Sequence, residues 1–178
     1  MIIYCSMFKI KKPLFIAIAC VLLATGLTSC GIYSFNDVSI DYTKIKTIKI
    51  SYIENKARYV NPLLGPKLTD KLQQKITQQT KLTRTNEDDA HYQIRGEITG
   101  DELSYVAITG QQASTNRLTI TAHIYFKDIV NDKDEEFDVS GNFDFDANTS
   151  VETARQALLE DITRNLTDQI FNKIFSNW

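Results

Sequence analysis

The sequence predicts an α+β domain, a four-stranded mixed sheet with two helices packed on one face, in the order β-α-β-β-β-α. Three observations lead there. Four stretches alternate apolar and polar residues with the period of two that gives a strand one buried face. Two longer stretches repeat apolar residues at helical spacing, each laying down a single apolar stripe. One-faced strands and two matching stripes are satisfied together when both helices cover the same side of the sheet and leave the polar side open.

The first strand runs from Ile45 to Ile53, where Ile48, Ile50 and Tyr52 alternate with Thr47, Lys49 and Ser51. Glu54 to Tyr59 read as a polar loop. Asn61-Pro62 is a helix start, with Asn as the cap and Pro at the first helical position, although Pro66 allows a start there instead. Leu64, Leu68, Leu72 and Ile76 form the stripe, which fades at Gln78-Gln79-Thr80. Lys81 to Thr85 suit a short edge piece before an acidic turn at Glu87 to Asp89.

From His91 the alternation returns, with Tyr92, Ile94 and Ile98 on one face. After Gly100 the apolar positions change parity to Leu103, Tyr105 and Ala107, the signature of a bulge or sharp bend. Thr109 to Asn116 form a polar loop. The next strand points Leu118, Ile120, Ala122, Ile124 and Phe126 inward and Arg117, His123, Tyr125 and Lys127 outward. An acidic connection, Asn131 to Glu136, leads to its partner, with Phe137, Val139, Phe143 and Phe145 inward. Thr149-Ser150 followed by Glu152 resembles a capping box opening the last helix, Val151 to Asn177. Its main stripe is Ala154, Leu158, Ile162, Leu166, Ile170 and Ile174, and Leu159, Phe171, Phe175 and Trp178 widen the apolar face near the end. A helix joins the first two strands, so they run parallel if adjacent, with a right-handed crossover. The later strands are hairpin-linked, which makes the sheet mixed.

Ahead of this domain lies a different kind of sequence. Lys9, Lys11 and Lys12 form a positive segment, Pro13 to Gly26 are apolar, and small residues end at Cys30. These are the three parts of a secretory signal peptide. Leu27-Thr28-Ser29-Cys30 resembles the bacterial lipobox, which implies cleavage before Cys30, diacylglycerol on its thiol and a third acyl chain on the new amino terminus. Two or more acyl chains make anchoring stable, at about 0.8 kcal/mol per buried methylene. The alternative, an uncleaved transmembrane anchor, needs about 20 apolar residues, and the stretch is shorter. Met7 is as natural a start as Met1. The division that follows is a signal peptide over 1–29, a lipid-anchored tether over 30–44 and one domain over 45–178.

Once residues 1–29 are removed, 149 of 178 residues remain, enough for one domain. The three signal-segment lysines go with them, leaving 17 Lys and Arg against 22 Asp and Glu, a net charge of −5. An acidic domain lacks the basic footprint that nucleic-acid binding needs. Cys5 and Cys20 are also lost, so the only remaining cysteine is Cys30, and stability rests on the core without an intramolecular disulfide.

No residue pattern points to catalysis. His91 and His123 occupy outward strand positions without the cysteines of a soft metal site, and neither a nucleophile triad nor a phosphate-cradling glycine loop is present. Asp144-x-Asp146-x-Asn148 imitates a calcium loop, but Thr149 and Arg155 stand where Gly and the bidentate Glu are needed. No cofactor is expected beyond the covalent lipid on Cys30. Lys49, Arg95, Arg117, His123 and Tyr125 share the open face, a set able to meet an anionic ligand or a protein partner.

Several stretches together resemble the lipopolysaccharide-assembly lipoprotein LptE in its Bacteroidetes form. They are Cys30-Gly31-Ile32-Tyr33-Ser34-Phe35, Val60-Asn61-Pro62-x-Leu64, Gly96-Glu97-Ile98-Thr99-Gly100, Asn116-Arg117-Leu118-Thr119-Ile120, and Ile170-Phe171-Asn172-Lys173 with Asn177-Trp178. The resemblance implies two helices on a four-stranded sheet. It also implies a non-enzymatic outer-membrane lipoprotein that partners and plugs the LptD β-barrel and assists lipopolysaccharide assembly. Of the family's functional residues only Cys30 carries over. Gly31 in place of an inner-membrane retention aspartate, and no acidic run over Gly31 to Ser34, imply the periplasmic leaflet of the outer membrane. The alternative is a lipopolysaccharide-binding periplasmic carrier without an obligate barrel. Its contacts would be Arg95 and Arg117, because phosphate prefers a bidentate guanidinium.

Overall fold

Strict alternation over Leu118 to Phe126 gives one of three fourteen-residue strands its form, and it lies between the other two. The computed structural model describes residues 40–106 and 115–176. In chain order the elements are β1 (Thr47–Ile50), β2 (Glu54–Asn55), α1 (Leu64–Gln79), β3 (Thr83–Arg84), β4 (Tyr92–Tyr105), β5 (Thr115–Asp128), β6 (Lys133–Asp146) and α2 (Val151–Phe175). The strands lie in the order β3-β1-β4-β5-β6, with β2 also paired to β4. β1, β2 and β3 make parallel pairings, whereas β4, β5 and β6 are antiparallel neighbours. The α+β class, the mixed sheet and the two helices are those the sequence predicts, with six strands in place of four.

Two things raise the count. The edge piece expected over 81–85 forms β3, and the single strand expected over 45–53 is interrupted. Tyr52, expected inward, is exposed, and Ile53 is fully buried instead. The cause is α1, which presses on this strand. The Ile53 amide leaves the ladder to donate to Thr69 Oγ1 at 3.0 Å, while Gly65 packs against the Ile53 carbonyl. A Cβ at Gly65 would lie 2.5 Å from that oxygen. Pairing with β4 then resumes at Glu54↔Glu97 and Asn55↔Ile98, so Glu54 and Asn55 are strand where a polar loop was expected.

This close approach has a measurable consequence. Gly65→Ala must push helix or strand backbone aside, and overpacking of this kind costs about 1–3 kcal/mol. Urea unfolding of the variant is expected to show that loss; a change within about 0.5 kcal/mol would mean that α1 does not seat where described.

The first helix buries Leu64, Leu68, Leu72 and Ile76 as the spacing requires. It begins at Leu64, between the two expected starts. Asn61 still organises the turn, its Oδ1 accepting from the Leu63 amide at 3.0 Å. Pro66 falls in the first turn, where its missing N–H has no helical partner to lose.

The second helix is capped by Ser150, which accepts from the Thr153 amide at 3.2 Å. The third position after the cap is Thr153, so Glu152 is not the reciprocal partner of the expected box and reaches elsewhere. Its buried face is widened at Leu159, Phe171 and Phe175 as the sequence predicts, and it also takes in Arg155, Thr163 and Thr167, while Trp178 lies outside the described residues. Arg155, Leu159, Thr163, Thr167, Phe171 and Phe175 are buried beside Ala154, Ile162, Leu166 and Ile170, whereas Leu158 and Ile174 are only partly covered. A row of every fourth residue drifts by about 40° per step on a helix of 3.6 residues per turn. Over twenty-five residues the sheet therefore meets two adjoining rows.

Both helices lie on the apolar side of the sheet and touch each other. Lys67 and Lys71 of α1 pair with Glu160 of α2, and Lys75 pairs with Asp168 at 2.7 Å. The two lysines hold the Glu160 carboxyl down to about 2. The core between the layers contains Ile48, Ile94, Ile98, Leu118, Ile120 and Ile124 from the sheet, each no more than marginally exposed.

The bulge predicted at Gly100 is present, with the β4–β5 register shifting between Ile98 and Gly100. Beyond it Asp101, Leu103 and Tyr105 share the inward face with Ile120, Leu118 and Asn116. Ala107 lies outside the described residues, as does most of the loop expected over 109–116; Thr115 and Asn116 already belong to β5. β6 likewise starts at Lys133, inside the acidic stretch expected as a connection.

Fourteen-residue strands at about 3.4 Å per residue separate two ends of the sheet by about 45 Å. At one end lie Ile40 to Lys46, the β5–β6 turn and the last turn of α2, where the Phe175 ring is 6.3 Å from Tyr92. At the other lie the 56–63 loop, the start of α2, and Tyr105.

Candidate functional site

On the open face, the outward residues of β5 meet those of β6 rung by rung. Arg117 donates to both oxygens of Asp144 at 2.6 and 2.9 Å. His123 Nδ1 lies 2.7 Å from Asp138, and its Nε2 lies 3.6 Å from Glu136. Lys127 is 3.7 Å from Asp134. Nearer the sheet centre, Lys56 pairs with Glu97 at 2.6 Å and Lys49 with Asp88. Each cation on this face is thus already matched by a carboxylate, with one exception. Arg95, opposite Tyr125 in the register, stacks on that ring at 4.4 Å and has no carboxylate partner among the described residues.

Arg95 and Tyr125 border an open depression of about 440 Å³ that also takes in Lys49, Lys127, Asp134 and Glu136. It is mixed in charge. Arg117 lies opposite Ser104, eight residues along β5 from Tyr125, or about 27 Å. The two arginines share a face, but one phosphate cannot touch both. Cys30 lies outside the described residues.

The His123 contacts set a pH dependence. The Asp138 hydrogen bond raises the imidazole above its ordinary value, partial burial opposes it, and Glu136 adds to the rise. Because the folded value exceeds the unfolded one, near 6.5, the pairing stabilises fully below that pH and fades as pH rises through the folded value. Wild-type stability is therefore expected to fall relative to His123→Phe over that window. Parallel pH profiles in urea unfolding would show that the pairing contributes nothing.

His91 is held differently, with Nδ1 close to the Thr47 hydroxyl at 2.7 Å and to its amide at 3.2 Å. Among the described residues no three His, Cys, Asp or Glu side chains gather as a metal site. The calcium-like run is used structurally. Asp144 takes Arg117, and Asp146 accepts from the Asn148 amide at 2.7 Å to form the turn into α2.

The sequence reading missed the most ordered polar cluster. Arg155 donates from Nη2 to Asp101 at 2.6 Å and from Nε to both carboxylate oxygens at 3.3 Å. The side chains are only 10% and 1% exposed. Tyr59 covers the guanidinium face at 3.6 Å, and its hydroxyl donates to Glu152 at 2.6 Å. The group ties the 56–63 loop, the bulge of β4 and the start of α2 together. One signal was available: the parity change after Gly100 places Asp101 inward, and Arg155 adjoins Ala154 on the helix stripe.

At this far end of the sheet several large apolar side chains are exposed. Tyr105 is 74% exposed, and Leu103, Val60 and Leu63 are exposed as well. Buried Asn116, opposite Tyr105 and Phe145, has an Oδ1 without a hydrogen-bond donor. Single exposed apolar residues are ordinary, but a gathered set marks an interaction surface.

Among the described residues no helix is long and apolar enough to cross a membrane. No curated protein sequence matches the chain. Solved structures do resemble it. A putative neuraminyllactose-binding hemagglutinin homolog from Helicobacter pylori is 8% identical at TM-score 0.50, over 74% of this chain and 83% of that one. A minor lipoprotein from Acinetobacter baumannii is 17% identical at TM-score 0.47, over 72% and 90% of the two chains. The PelC dodecamer from Paraburkholderia phytofirmans is 11% identical at TM-score 0.45, over 75% and 91%. Of these, the first shows a shared fold and no more. The sequence itself is matched by the family model described as LptE, lipopolysaccharide-assembly, over residues 45–174. That match runs from the residues just before β1 into the last turn of α2, and the chain belongs to the LptE lipopolysaccharide-assembly family.

Proposed function

We propose that this chain is an outer-membrane lipoprotein, tethered through Cys30 and facing the periplasm, that partners and plugs an LptD-type β-barrel and so assists lipopolysaccharide assembly. It works without catalysis and without a cofactor beyond its covalent lipid. Family membership supplies the lipopolysaccharide-assembly role; the barrel partner, the leaflet and the anchor are the parts proposed. The observation that carries the partner reading is the far end of the sheet, where Val60, Leu63, Leu103 and Tyr105 are exposed around a rigid Asp101–Arg155 pair. Interfaces favour aromatic anchors on preorganised backbone, and this end offers both. Depleting the protein and labelling intact cells for lipopolysaccharide tests the proposal. Loss of surface lipopolysaccharide with accumulation inside is expected, and unchanged surface labelling would refute it.

A second reading, direct lipopolysaccharide binding by a carrier without an obligate barrel, is favoured by one observation. Arg95 has no carboxylate partner among the described residues and lies over the Tyr125 ring. Arg117 could join only by giving up Asp144. Replacing both arginines with Ala and measuring lipopolysaccharide binding decides this; undiminished binding ends it.

A further inference from the structure

We infer that the far half of β6 is an open sheet edge, on which the barrel partner lays an extended segment as an added strand beside Asn142 to Asp146. The inference rests on the proposed partner reading and supplies its mode of contact. Among the described residues β6 pairs with β5 alone. The ladder decides which of its backbone groups stay unpaired. The Thr115 carbonyl accepts from the Val106 amide at 3.1 Å, and the Ile129 amide donates to the His91 carbonyl at 2.9 Å. Odd residues of β5 thus turn their backbone toward β4. Even residues of β5 face β6, where the register matches them with odd residues. In an antiparallel ladder a residue's N–H and C=O share one side, so those of Asn142 and Asp144 point off the sheet. Ser140 agrees with this parity, its carbonyl accepting from the Gln169 side chain of α2 at 2.8 Å.

Long edge strands invite pairing, and proteins blunt them with charge or cover. The rest of β6 is blunted in both ways. Asp134, Glu136 and Asp138 line its near half with exposed carboxylates, and Gln169 occupies the middle. The far half has neither guard. Asn142 is neutral and bonds Thr119, and Asp144 spends its charge in the two-pronged contact with Arg117. On the inward face Phe143 and Phe145 are only partly buried, whereas their β5 neighbours Leu118 and Asn116 are buried. These rings adjoin the exposed apolar end. Tyr105, Asn116 and Phe145 form one rung across three strands, as do Leu103, Leu118 and Phe143. With neighbouring strands about 4.8 Å apart, Tyr105 and Phe145 stand about 10 Å from each other, within one interface. The edge therefore specifies its strand: apolar side chains on the helix side to cover Phe143 and Phe145, and uncharged or cationic ones beside Asn142 and Asp144. Strand addition draws affinity from main-chain hydrogen bonds and specificity from alternate side chains. A second copy fits poorly, because antiparallel self-pairing about Asp144 sets two carboxylates directly opposite, where like charges destabilise.

Hydrogen exchange resolved to single amides, on the full chain alone and in its barrel complex purified from solubilised outer membranes, tests this. In the free chain the amides of Asn142 and Asp144 are expected to exchange as freely as those of Glu136 and Asp138. In the complex the first two are expected to slow several-fold and the second two to stay as they were. Asn142→Pro removes an edge-facing N–H that the β5 ladder does not use, so it is expected to lower barrel recovery several-fold. Asn142→Ala keeps that N–H and is expected to recover barrel like wild type. Urea unfolding checks that both variants fold, and the exchange result on the unaltered chain stands whether they do or not. A complex whose amides at 142 and 144 exchange as in the free chain overturns strand addition and leaves the partner reading standing. So does an Asn142→Pro chain that recovers barrel as well as Asn142→Ala. Slow exchange at both amides in the free chain would mean that the edge is filled by the chain itself or by a second copy, and overturns the added strand too. Absence of any complex overturns the partner reading and this inference with it.

Discussion

Replacing Arg155 with alanine is expected to lower the unfolding free energy by about 3–5 kcal/mol, because it leaves the Asp101 carboxylate buried without a counter-charge. The magnitude follows from burial. The Asp101 side chain is 1% exposed and accepts three hydrogen bonds from one guanidinium. The Tyr59 ring stacked at 3.6 Å excludes water from the other side. The surface pairs on the open face are different in kind; exposed pairs are generally worth about 0–1 kcal/mol. A double replacement, Arg155→Met with Asp101→Leu, is expected to recover much of the loss, since apolar pairs of similar volume often equal buried ion pairs. Urea unfolding of the two single variants and the double variant checks this as a cycle. Single variants that lose less than about 1 kcal/mol, within the range of exposed pairs, would show that the pair is solvated.

The second large effect is at the anchor. Cys30→Ala is expected to abolish acylation completely and to leave residues 1–29 attached, because the modified thiol is also what marks the cleavage point in the lipobox reading. Intact mass spectrometry of both proteins checks the two consequences at once. The wild-type chain should begin at Cys30 and carry the mass of its acyl chains. An unmodified wild-type chain, or an acylated variant, would contradict the assignment. The physical stake is retention, since two or more chains hold a protein stably where one does so only marginally.

Much of the sheet was legible because burial enforces period two. Ile94 and Ile98, and Leu118 to Phe126, point inward as the alternation requires, and the parity change at Gly100 located the bulge. The α1 stripe was equally plain. What the sequence hid were choices made by a neighbour. Nothing in Ser51-Tyr52-Ile53 announces that the Ile53 amide will prefer Thr69 to the ladder; that depends on α1 lying close enough, through Gly65, to offer its hydroxyl. The apolar face of α2 was legible as a main row widened by Leu159, Phe171 and Phe175. The burial of Arg155, Thr163 and Thr167 was not, because the drift of that row matters only over a long helix against a long sheet. The open-face residues were placed correctly, but their pairing depends on cross-strand register, which strand pattern alone does not fix. Hence Arg117 is occupied by Asp144 while Arg95 is not. The Asp101–Arg155 pair joins residues 54 positions apart, and only the fold brings them together.

Whether this domain works inside another protein is tested most directly by solubilising outer membranes in mild detergent and purifying the full-length chain through a carboxy-terminal tag. The expected result is a stable, near-stoichiometric complex with one large β-barrel protein that is lost when Leu63 and Tyr105 are both changed to Asp. Recovery of the acylated chain as a monomer, with no barrel in any fraction, would contradict it.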